Sequence, residues 1–114
     1  MNIKKLKKII SPVILCGGKG QRLKPLTQTI PKSLVKINGE EILSYIIKHL
    51  KFYNLENIVV LCGYKKIKIR KFIKKKFNDK IKYIDTGLNT DILDRLRKAK
   101  KNYREYILIC YGDT

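Results

Sequence analysis

Four short apolar runs, each of strand length and each with a glycine at or just past its end, constrain this chain more than any other feature. They are residues 12–16 (PVILC), 57–62 (NIVVLC), 81–85 (IKYID) and 106–110 (YILIC). All are nearly continuous in apolar character and rich in β-branched or aromatic residues, which suits strands covered on both faces. The stretches between them have helical period instead. Residues 40–53 place Ile42, Leu43, Ile46, Ile47, Leu50 and Tyr53 on one stripe. Residues 65–77 do the same with Ile69, Phe72, Ile73 and Phe77, and residues 91–101 with Ile92, Leu93, Leu96 and Ala99. Thr90 is placed to cap the last helix ahead of an acidic first turn, and Asn38-Gly39 marks a turn before the first long one.

Alternating strands and helices of these lengths form βαβ units, so the expected fold is α/β: a Rossmann-like three-layer sandwich around a mainly parallel sheet. Right-handed crossovers carry the first three strands outward, and a fourth that returns beside the first gives the spatial order 3-2-1-4. Sheets of this kind bind ligands beyond the carboxyl ends of their strands, at the point where the order reverses. That rim is where the glycines fall: GGKGQR follows the first run, GYK the second, TG the third and YGDT the fourth. Gly17–Arg22 is thereby expected opposite Gly112-Asp113.

Consecutive glycines let backbone N–H groups approach a ligand closely, and with flanking cations they suit phosphate oxygens. Neither common phosphate fingerprint fits. No G-x-x-x-x-G-K-[ST] string occurs, and G-x-G-x-x-G fails because Leu23 stands at its last position.

At 114 residues the chain has the size of one domain, and its 44% apolar content is that of a globular protein. No apolar run nears the roughly 20 residues of a membrane helix, and the start lacks the apolar core of a signal peptide. The net charge of +18, from 27 Lys and Arg against 9 Asp and Glu, would attract polyanions of any kind. Cys16, Cys62 and Cys110 are odd in number and lack metal-type spacing, so they read as core residues of a cytoplasmic protein. Residues 1–11 read as a basic arm. With Ile3, Leu6 and Ile9 three apart, a short amphipathic helix touching a membrane or a partner is the alternative.

The string Gly17-Gly18-Lys19-Gly20-Gln21-Arg22-Leu23-Lys24-Pro25-Leu26-Thr27, followed by Pro31-Lys32-Ser33-Leu34, resembles the signature of the sugar-1-phosphate nucleotidyltransferases. NGEEILSYIIKHL, NIVVLCGYK and YGDT resemble that family's further blocks, in its order, so the likeness runs from about Pro12 to Thr114. CGYK, and DTG followed by RL, are most similar to the glucose-1-phosphate cytidylyltransferase branch.

The resemblance implies a reaction in which a sugar 1-phosphate oxygen attacks the α-phosphorus of a nucleoside triphosphate and pyrophosphate leaves. It implies that Leu15, Gly17, Gly18, Gly20, Gly63 and Tyr64 contact the nucleotide; the place of Tyr64 after Gly63 suits a ring that stacks on or edges the base, and equally one that packs in the fold. Arg22 would hold the phosphates and stabilise the leaving pyrophosphate, and Lys32 would neutralise charge at the α-phosphate. Asp113 would bind Mg²⁺, a hard cation suited to a carboxylate plus phosphate oxygens. It also implies a longer protein, whose sugar pocket and second metal carboxylate lie beyond Thr114. Residues 12–114 are then the nucleotide-binding portion of a truncated domain, a fragment or a relic, incomplete at its C-terminus.

One departure concerns the base. Where the cytidylyltransferase branch has a glycine pair, this chain has Leu93-Asp94 before Arg95-Leu96. Two other readings stay open: a basic nucleic-acid-binding module, and an inactive nucleotide-binding subunit. The first lacks helix-turn-helix, zinc-spacing or RNP-like features, and leaves four glycine-marked strand ends unexplained.

Overall fold

The computed structural model describes residues 2–16, 29–77, 80–88 and 90–112. In chain order these form α1 (Ile3–Ile9), β1 (Ile10–Cys16), a 3₁₀ turn (Lys32–Leu34), β2 (Lys36–Ile37), β3 (Glu40–Glu41) and α2 (Ile42–Phe52). There follow β4 (Val59–Cys62), α3 (Lys66–Lys76), β5 (Lys82–Asp85), α4 (Ile92–Lys98), a second 3₁₀ turn (Lys100–Asn102) and β6 (Tyr106–Tyr111).

β1, β4, β5 and β6 make one sheet in the order β5-β4-β1-β6, with every pairing parallel. These are the four apolar runs of the sequence. Their labels depart from 3-2-1-4 because a small hairpin, β2–β3, intervenes and was not anticipated as strand. It closes around Asn38 (φ 52°) and Gly39 (φ 82°), the two left-handed residues that a tight two-residue hairpin turn requires.

Alternation along the strands explains the layers. In β1, Ile14 and Cys16 point to one face, where they join Val60 and Cys62 of β4 under Leu43, Ile47 and Leu50 of α2 and Ile69 and Ile73 of α3. Val13 points to the other face with Val59, Leu61 and Ala99, against Leu96 and Tyr103 from the α4 side. The result is helix, sheet, helix, and each fully buried Leu, Ile or Val contributes about 1.5–3 kcal/mol of transfer free energy.

Four expectations need correction. β1 begins at Ile10 rather than residue 12, and the basic stretch before it forms α1, capped by the Asn2 side chain accepting from the Lys5 amide at 2.9 Å. α4 is capped by Asp91, which accepts from the Asp94 amide, while the Thr90 hydroxyl donates to the Thr86 carbonyl. The α4 stripe is rotated, too: Leu93 is 71% exposed and Arg95 only 7%, because the guanidinium has backbone acceptors waiting inside. Finally, β6 is apolar on both faces yet 38–56% exposed from Tyr106 to Ile109, since it is a sheet edge with no described element beyond it.

Candidate active site

Parallel pairing sends β4, β5, β1 and β6 to one rim, and there the strand ends are bonded to each other. The Gly112 amide, just past β6, donates to the Leu15 carbonyl at 2.9 Å. A β-carbon on Gly112 would stand 2.7 Å from both that oxygen and the Cys16 sulfur, so only glycine lets the two strand ends approach this closely. One strand over, a β-carbon on Gly63 would lie 2.2 Å from the Gly87 carbonyl oxygen and 3.0 Å from the Arg95 guanidinium. Three of the four glycine-marked strand ends are thus close-packed backbone junctions.

Arg95 organises the β5 end. Its Nη1 donates to the Thr86 hydroxyl at 2.8 Å and to the Gly87 carbonyl at 2.9 Å, and its Nη2 to the Leu88 carbonyl at 3.3 Å. Thr86 is itself buried, its amide bonded to the Cys62 carbonyl at 2.8 Å. Lys98 adds a bond to the Thr86 carbonyl at 3.1 Å. A planar fork of donors suits such a set of acceptors, which a lysine could not satisfy together.

The loop so held borders an open cavity of about 740 Å³, lined by Gly63, Tyr64, Ile67, Asp85, Leu88 and lysines of α3. Lys66 pairs with Asp85 at 2.5 Å, and Asp85 also accepts from the Gly87 amide at 3.0 Å. Those bonds hold the Asp85 carboxyl below its ordinary range and the Lys66 ammonium above its own. Lys65 lies 5.6 Å from the Tyr64 ring centroid, and Lys68 donates to the Thr29 carbonyl. Cationic walls around apolar patches favour an anion with a planar or apolar part. Cys62 at the same rim is no nucleophile: burial first, and the Asp85 charge second, push its thiol up to about 11.

Of the residues singled out in the sequence, the structure places Gly63 and Tyr64 on this cavity and Leu15 at the Gly112 junction. Lys32 begins a separate 3₁₀ turn whose Leu34 packs against the α2–α3 core, and it does not line the cavity. Gly17, Gly18, Gly20, Arg22 and Asp113 lie outside the described residues. Among those described, no group of three His, Cys, Asp or Glu side chains could hold a metal, and no helix is long and apolar enough to cross a membrane. Sequence reasoning missed Arg95 as a rim residue. Its only signal was its place in the RL pair, since one cation among 27 carries no mark of burial.

A parallel sheet whose strand order reverses at β1, with glycine junctions along its carboxyl rim, defines an α/β protein of the kind whose ligands sit at that rim. A family model described as nucleotidyl transferase matches residues 11–113, and the chain belongs to that family. It is 34% identical to a probable glucose-1-phosphate cytidylyltransferase of Bacillus subtilis, across 89% of this chain and 49% of that protein. It is 38% identical to the D-glycero-alpha-D-manno-heptose 1-phosphate guanylyltransferase of Campylobacter jejuni, across 90% and 47%. Among solved structures, the CTP:phosphocholine cytidylyltransferase of Streptococcus pneumoniae superposes with a TM-score of 0.77 at 27% identity, covering 91% of this chain and 45% of that one. The chain spans about half the length of these relatives.

Proposed function

We propose that the chain carries the nucleotide-binding part of an enzyme that transfers a nucleotidyl group from a nucleoside triphosphate to a sugar 1-phosphate. The observation behind this reading is the carboxyl rim, where Gly112 meets Leu15 and Gly63 meets Gly87 beside a cavity walled by lysines. A phosphate oxygen of the acceptor forms the new bond to the α-phosphorus as the bond to the bridging oxygen breaks. Pyrophosphate carries away the released electron pair.

In this reading the amides of Gly17, Gly18 and Gly20 cradle the triphosphate and Leu15 backs the nucleotide. Gly63 and Tyr64 border the base, Arg22 neutralises the leaving pyrophosphate, and Lys32 neutralises the α-phosphate. The protein's contribution is then position and charge, as in other phosphoryl transfers. Asp113, with phosphate oxygens, would hold Mg²⁺, which when bound supplies further charge neutralisation. The residue fits by chemistry, since Mg²⁺ takes few carboxylates and shares the nucleotide's own oxygens. Cytidine is the proposed base, on the similarity to the Bacillus subtilis protein. In this reading the acceptor pocket lies outside the span of this chain, which covers about half of these relatives.

Titration calorimetry with CTP, GTP, UTP and dTTP in MgCl₂ tests this. CTP is expected to bind at least tenfold more tightly than the others, and Arg22→Ala to weaken it at least tenfold without unfolding the chain. Equal affinities would refute the base assignment, and no nucleotide binding would refute the proposal as a whole.

A further inference from the structure

The rim opposite the candidate site carries a feature that nucleotide transfer does not use. α1 precedes β1, so it stands at the amino ends of the strands, away from the glycine rim. No residue of α1 is buried. Ile3 is 68% exposed and Leu6 40%, although both are large and apolar. At 3.6 residues per turn, Ile3, Leu6 and Ile9 share one side of the helix, and Lys4, Lys5, Lys7 and Lys8 occupy the rest. The helix contains no acid.

Its end is tied to the body. The Asn57 side-chain amide donates to the Lys8 carbonyl at 3.4 Å, and the Asn57 oxygen accepts from the Arg104 guanidinium at 3.4 Å. Around that anchor the amino rim adds Lys80 and Lys82, which with Arg104 and Asn57 line a cavity of about 270 Å³. The acids described there are Glu56 and Glu105, against seven cations of α1 and the rim together.

We propose that α1 and this rim dock the protein on an anionic lipid bilayer, with α1 lying in the interface and the nucleotide rim turned to solvent. Charge complementarity selects the partner: lysines flank an apolar stripe, which is the pattern of interfacial helices that bury one side at the acyl boundary while cations meet acidic headgroups. A nucleic acid would satisfy the lysines and leave Ile3 and Leu6 uncovered. Lysine stems reach past such a stripe to place their charge among headgroups. A stripe of two or three residues makes the docking weak and reversible, dependent on anionic lipid and on low salt.

The test is vesicle flotation of the full chain with phosphatidylglycerol/phosphatidylcholine vesicles and with phosphatidylcholine alone. The chain is expected to float only with the anionic vesicles, and Ile3→Asp with Leu6→Asp to reduce that at least tenfold. Ile37→Asp with Leu93→Asp adds the same negative charge at two residues that are more than half exposed and away from α1, and is expected to change it less than threefold. The chain has no tryptophan. Leu6→Trp therefore gives a single reporter, expected to shift its emission to the blue with anionic vesicles. Because α1 buries nothing, the variants keep the fold, which circular dichroism checks. Failure to float, equal loss in the two paired variants, an unshifted Trp emission, or release of the chain from vesicles by a short RNA at equimolar charge would each overturn the proposal.

Discussion

The Gly112 amide and the Leu15 carbonyl meet at 2.9 Å, joining the ends of β6 and β1 where the strand order of the sheet reverses. The bond spans 97 positions of sequence, so it stands for the closure of the whole βαβ series and not a local turn. Gly112→Ala would drive a β-carbon to 2.7 Å from the Leu15 oxygen and the Cys16 sulfur. The oxygen is backbone and cannot step aside, so the strand end must move. A loss of about 1–3 kcal/mol is expected, in the range of overpacked cores. Thermal unfolding measures it, and a melting temperature equal to the wild type would show that the junction is looser than its geometry.

Arg95 carries the second prediction. Arg95→Met removes the donor from a buried hydroxyl and two carbonyls at once, and a hydrogen bond to a charged group contributes about 1.5–3 kcal/mol. Destabilisation by about 3 kcal/mol is expected, with Arg95→Lys recovering only part of it, because one ammonium cannot reach three acceptors in a plane. Denaturant titration separates the three proteins. If lysine restores full stability, charge and not the fork holds the 86–88 loop.

Much of this architecture was legible because strand and helix periods differ. β4 is apolar at every position and β1 from Pro12 to Cys16, which suits strands covered on both faces, and Asn38-Gly39 announced its turn through the positive φ both residues accept. α4 was misread for a physical reason. Its apolar residues suggested Ile92 and Leu93 as the inner face, but the acceptors left by Thr86, Gly87 and Leu88 drew Arg95 inward instead. Periodicity cannot show backbone carbonyls supplied by another segment. The candidate site divided similarly. Glycines mark strand ends in the sequence, but that Gly63 abuts Gly87 and Arg95 follows only from the pairing of β4 with β5.

The acid limb of stability should pass through Glu40. Hydrogen bonds from Lys48, at 2.6 Å, and from the Ser44 hydroxyl hold its carboxyl at about 2, well below the ordinary 4.5. A group whose pKa is lowered by folding contributes stability that is complete above its unfolded value and lost as pH falls through its folded value. The Glu40 contribution is therefore expected to be full above about pH 5 and to fade toward pH 2. Glu40→Gln should melt below the wild type at pH 7 and converge on it near pH 2. Parallel curves across that range would remove Glu40 from the acid response.

The exposed edge of β6 makes the last prediction. Tyr106, Ile107, Leu108 and Ile109 present apolar side chains to both faces of a strand whose outer backbone groups have no partner strand among the described residues. An edge of this length and character templates association between copies unless something covers it. The chain as given is therefore expected to self-associate at micromolar concentration, despite a net charge of +18 that opposes it. Leu108→Lys with Ile109→Lys places one ammonium on each face of the edge, the device by which natural sheets blunt such strands. Both positions are more than 40% exposed, so the folded chain should lose little stability. Sedimentation across a dilution series is expected to show the wild type drifting to higher mass and the double variant staying monomeric. A monomeric wild type at the highest concentration would mean that charge repulsion outweighs the edge, since nothing else described on that face covers it.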